Sequence, residues 1–80
     1  MIHIQDYITI DKEILGGQPV FSGTRVPVES LFDHLESGIA LSEFLEDFPG
    51  VKKDQAIAVI EFAGKIFASG DVYKMFDAAA

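Results

Sequence analysis

The sequence predicts one mostly α-helical domain. A short amino-terminal β arm covers residues 1–26, a three-helix core covers 27–69, and a small carboxyl-terminal helix or tail covers 70–80. Three observations carry this. Apolar residues recur at i, i+3, i+4 and i+7 in three successive segments, the spacing of one buried helical face. Each segment stops at Gly or Pro-Gly, residues that end helices. Before residue 27 the pattern changes to short β-forming runs broken by glycine and proline.

The elements follow in order. Tyr7-Ile8-Thr9-Ile10 alternates polar and apolar β-formers and reads as a short strand. Asp11-Lys12-Glu13 is a polar turn. The run from Gly16 to Val28 holds three glycines and two prolines, yet Val20, Phe21, Val26 and Val28 are apolar and need cover. It reads as two tight bends, Gly16-Gly17 and Ser22-Gly23-Thr24, around an extended Val20-Phe21 that feeds a helix. That first helix starts at Pro27 or Val28, buries Val28, Leu31, Phe32 and Leu35, and ends at Ser37-Gly38. The second runs from about Leu41 to Phe48, with Leu41, Phe44, Leu45 and Phe48 inward and Glu43, Glu46 and Asp47 outward; Pro49-Gly50 stops it. The third runs from about Lys53 to Ser69, with Gly70 at its end and a stripe of Ala56, Ile60, Ala63 and Phe67. Val72, Met75 and Phe76 then mark one or two further amphipathic turns, docked on the third helix or free to bind a partner.

Eighty residues make one small domain with a marginal core. The chain is nevertheless 49% hydrophobic and has seven Phe. That surplus predicts a covering partner, most simply a homodimer. Phe62 and Ile66 lie off the stripe of the third helix. They either contact a partner or meet the β arm or last helix of their own chain. With no Cys, the chain has no disulfide, thiol nucleophile or cysteine zinc site, which suits a reducing cytoplasm. Its first residues lack a signal-peptide pattern, and no apolar run is long enough to span a membrane. Neither His3 nor His34 has a partner at metal-ligand spacing. Ser22 and Thr24 have no histidine nearby in sequence. No cofactor, metal or enzymatic activity is expected.

The second and third helices, joined by a Pro-Gly turn, have the outline of a helix-turn-helix, whose second helix can enter a DNA major groove. On that reading Lys52 and Lys53 meet phosphate and Gln55 reads a base edge. The other reading makes all three a solvated helix start. Glu61 and a net charge of −7 oppose nucleic acid, and two or three phosphate contacts per monomer give weak binding.

The order from Tyr7 through Gly16-Gly17-Gln18-Pro19 and Gly23-Thr24-Arg25-Val26-Pro27-Val28 resembles the start of the bacterial domain-of-unknown-function 433 family, which includes VapB-like antitoxins. Leu35-Glu36-Ser37-Gly38, Phe44 to Pro49 and Ala56-Ile57 are similar to its continuation, so the resemblance covers about Tyr7 to Gly64. It implies a helix-turn-helix domain of the homeodomain-like or winged type, and a PIN-like nuclease toxin as the partner to be neutralised. Ala40 and Lys52 depart from the pattern, standing where the family usually has a Ser or Thr cap. The function expected on this basis is the antitoxin of a type II toxin–antitoxin pair that binds its operator DNA weakly as an autoregulator. The alternative is a dimeric protein-interaction module with the same shape and no DNA binding. Arg25 has three open readings: a phosphate contact, a cap on a toxin's metal-holding carboxylates, or a pin between the β arm and Asp11, Glu13 or a helix end.

Overall fold

Two strands and four helices follow one another along the chain. They are β1 (Ile8–Thr9), β2 (Val20–Phe21), α1 (Val28–Glu36), α2 (Leu41–Asp47), α3 (Lys53–Phe67) and α4 (Gly70–Ala79). The structure, a computed structural model, describes residues 3–79 and side chains as far as Met75. It is mostly helical with a short amino-terminal hairpin, as predicted.

β1 and β2 pair antiparallel, Ile8 opposite Phe21 and Thr9 opposite Val20. The connection between them tightens at Leu15–Gly17, where Leu15, Gly16 and Gly17 all have positive φ (49°, 68° and 95°). For the two glycines this geometry is free of Cβ strain; for Leu15 it is not. A second tight bend follows Phe21, and an isolated bridge from Val20 to Pro27 leads the chain into α1. The two bends around an extended pair are therefore where the glycines and prolines placed them.

α1 ends in a Schellman motif. Ile39 N donates to the His34 carbonyl (2.9 Å) and Gly38 N to that of Leu35 (3.0 Å), with Gly38 at φ 80°. Pro27 is the residue before the first helical turn rather than within it. α2 stops one residue short of Phe48, and neither Ala40 nor Lys52 supplies a side-chain cap.

Phe21, Leu31, Phe44, Val51, Ala56 and Val59 form the buried core, one or more from β2, α1, α2 and α3. Phe44 is its hub, with ring centroids 6.1 Å from Phe21 and 5.1 Å from Phe48. The amino half of α3 is therefore interior, and Gln55, Ala56, Ala58 and Val59 are all buried.

The carboxyl half of α3 departs from expectation. Phe67, predicted on the buried stripe, is 70% exposed because nothing among the described residues covers it. Gly70 does not terminate α3. The helix stops at Phe67, and Gly70 opens α4 after a two-residue link.

Candidate interaction surfaces

Three surfaces differ in chemistry, and hydrogen bonds hold the first two in place. The first is built from the motif around Thr24. Thr24 Oγ1 donates to the Phe21 carbonyl (2.7 Å) and accepts from Val26 N (3.0 Å), closing the bend at residues 22–25. Ser22 ties the bend to β1, its N donating to the Tyr7 carbonyl and its hydroxyl lying 2.9 Å from that of Thr9. Gln55 then ties it to α3. Its Nε2 donates to the Ser22 carbonyl (3.0 Å) and its Oε1 accepts from Lys52 N (2.9 Å). Only this returning half of a capping box can form, because a lysine side chain has no acceptor.

Gln55 therefore does not sit where a base could be read. It is 8% exposed with both ends of its amide engaged, which corrects the DNA-reading assignment made from sequence. Ala58, three residues further along α3, is buried as well. Lys52 and Lys53 are exposed at the start of the helix. Arg25 is exposed on the bend that Gln55 binds to the same helix start, so three of the chain's six cations share one end of the molecule. Among the described residues Arg25 makes no ion pair with Asp11, Glu13 or any other carboxylate, so the pin is not formed. Asp11 is occupied otherwise, its Oδ1 accepting from Glu13 N (2.8 Å).

The second surface is the α1–α2 unit. Residues 28–47 hold Glu29, Asp33, Glu36, Glu43, Glu46 and Asp47 and no Lys or Arg, and all six carboxylates are exposed. His34 joins the two helices. Its Nδ1 donates to the Ser30 carbonyl (2.8 Å), its ring meets Phe44 and Phe48 edge-on at 5.2 and 5.6 Å, and Nε2 lies 3.5 Å from Asp47. It is an interhelical wedge, a role that periodicity does not reveal.

The third surface is apolar. Phe62 (38% exposed) and Ile66 (48%) remain uncovered, as do Tyr73 and Met75 on α4. Val72 is half-buried, and the side chain of Phe76 lies outside the described residues. Phe62 also forms one wall of an open concavity of about 480 Å³ completed by Ile4, Gln5, Ile8, Ile10 and Pro19. Ile8 and Ile10, two residues apart, share a strand face in the sequence. That Phe62 stands opposite them is a tertiary fact. No helix among the described residues is long and apolar enough to cross a membrane.

Comparison with known proteins is consistent with the amino-terminal motif. A family model described as protein of unknown function (DUF433) matches residues 8–63, from β1 into the second half of α3. No curated protein and no solved structure matches the chain. Because the match takes in both tight bends, the hairpin, α1, α2 and the buried half of α3, the chain belongs to the DUF433 family of proteins of unknown function.

Proposed function

We propose that this domain is a dimeric, non-catalytic protein-binding module, acting in the cytoplasm as the neutralising half of a toxin–antitoxin pair. The observation that supports it most is the charge of the α1–α2 unit, six exposed carboxylates without a single Lys or Arg. Such a face repels nucleic acid and attracts a basic protein, raising its association rate. A nuclease that grips RNA carries the matching charge. The identity of that nuclease as PIN-like rests on the family resemblance alone. Dimerisation is supported by the exposed Phe62, Ile66, Tyr73 and Met75.

A second role, weak operator binding, is supported by one observation, the grouping of Arg25, Lys52 and Lys53 at one end. Gln55 takes no part in it. Three phosphate contacts per copy give weak, salt-sensitive binding that a dimer doubles.

Co-expression with the product of the adjacent reading frame tests the principal role. Growth arrest by a nuclease-like neighbour should be relieved by this chain, and relieved less when Glu43, Glu46 and Asp47 are changed to Lys. A neighbour that is not toxic, or toxicity that this chain leaves unchanged, refutes the antitoxin reading. Retardation of the upstream promoter tests the second role. Lys52→Glu with Lys53→Glu should abolish it while leaving thermal stability the same or slightly higher, since acids favour a helix start. Absence of retardation by the wild type at low salt, with and without the partner, removes the DNA role and leaves the interaction module.

A further inference from the structure

We propose that two copies of this chain pair by exchanging helical arms, the exposed face of α4 from each lying in the apolar concavity of the other. This deepens the dimer reading above and rests on it.

The arm is the end of α3 together with α4. Its apolar side chains are left uncovered: Ile66 is 48% exposed, Phe67 70%, Tyr73 65% and Met75 71%. Among the described residues, the only element in substantial contact with α4 is α3. The arm stretches the molecule. The radius of gyration is 14.1 Å with extents of 42 × 30 × 25 Å, against about 12 Å for a compact domain of 80 residues. Total accessible surface tells the same story in area. A self-contained monomer of 8.7 kDa exposes about 4,700 Å², whereas this chain exposes 5666 Å². The excess, about 900 Å², is close to the roughly 800 Å² that each partner gives up in a stable interface.

The concavity calls for an apolar occupant. Ile4, Ile8, Ile10, Pro19 and Phe62 line it, and Gln5 is its one polar residue. A polar metabolite would find almost nothing there to fix its orientation. Ile10, on its rim, is 70% exposed.

Charge selects a second copy. At net −7, two chains repel each other over most of their surface. Residues 61–79 carry little of that charge, with Glu61, Asp71 and Asp77 against Lys65 and Lys74 for a net of −1, and the concavity has no charged residue. A nearly neutral arm on an uncharged groove is a place where two such acidic chains can meet. Because each chain has both parts, one two-fold operation covers both arms and both grooves and closes the assembly.

The test is sedimentation equilibrium of the full chain, with helix content followed by circular dichroism. Wild type should sediment as a dimer at micromolar concentration. Ile10→Lys in the groove and Met75→Lys on the arm should each raise the dimer dissociation constant by about tenfold or more, since each places a charge against apolar surface. Both sites are more than two-thirds exposed, so helix content should not change. Both substitutions also reduce the net negative charge, so a weaker dimer is not the result of added repulsion. A wild type that dimerises while either variant dimerises equally well overturns the exchange and leaves the dimer reading standing. A monomeric wild type overturns both, while the growth assay independently decides the toxin reading.

Discussion

Gln55 shows how much one side chain can organise. Its amide joins the start of α3 to the bend at residues 22–25, accepting from Lys52 N and donating to the Ser22 carbonyl. It thereby offsets part of the missing cap at Lys52 and fixes the end of the molecule that presents Arg25, Lys52 and Lys53. Gln55→Ala removes two largely buried hydrogen bonds and should cost about 2 kcal/mol. In a chain of this size that is a fall in Tm of about 8–16 °C, read by thermal unfolding. Gln55→Glu should cost more, because a carboxylate cannot donate to the Ser22 carbonyl and would be a nearly buried charge. From sequence, Gln55 looked like any polar residue one turn into a helix. Nothing local reveals that a carbonyl thirty-three positions earlier lies within reach. Leu15 is a second residue-scale case. Its φ of 49° is in a region disfavoured for a side chain with a Cβ. Leu15→Gly should therefore raise Tm slightly, as it is exposed and has little packing to lose. A lower Tm would show that its apolar contact outweighs the strain.

Among elements, the α1–α2 pair depends on His34. Two edge-on aromatic contacts are worth about 0.5–1.5 kcal/mol each, whereas the approach to Asp47, a carboxylate that is 61% exposed, contributes little. His34→Ala should therefore destabilise the fold by about 1–3 kcal/mol, and Asp47→Asn by less than about 0.5 kcal/mol. Denaturant melts of the two variants separate these contributions; equal losses would show that the ion pair, not ring packing, joins the helices. The helices themselves were legible, since most of each burial stripe and the stops at Gly38 and Pro49-Gly50 appear in the residues, although Leu35, expected inward, is 37% exposed. The carboxyl half of α3 was not. Its apolar pattern continues to Phe67, but periodicity says only which face is apolar, and burial needs a second surface. Among the described residues none covers Phe67.

Over the whole molecule, acidic, basic and apolar regions are kept apart. The six cations include three at one end, the α1–α2 unit has none, and the arm has a net charge of only −1. Association with a basic partner through α1–α2 should weaken steeply from 50 to 500 mM salt. Self-association through the nearly neutral arm should change little or strengthen, because salt screens the overall repulsion. Titration calorimetry and sedimentation over the same salt series measure the two; parallel salt dependences would mean that one surface serves both.

What the amino-acid order determined by itself is local: the two bends, the helix limits near Val28, Gly38, Leu41 and Lys53, and the surplus of apolar side chains. Each depends on dihedral preference or on spacing within one element, and both are properties of neighbouring residues. Only the tertiary structure decided that Gln55 turns inward, that His34 wedges between helices, and that Phe62 faces Ile8 and Ile10 across an open groove. Those facts depend on distances between segments far apart in the chain, which the packing of Phe21, Leu31 and Phe44 sets and no local pattern encodes.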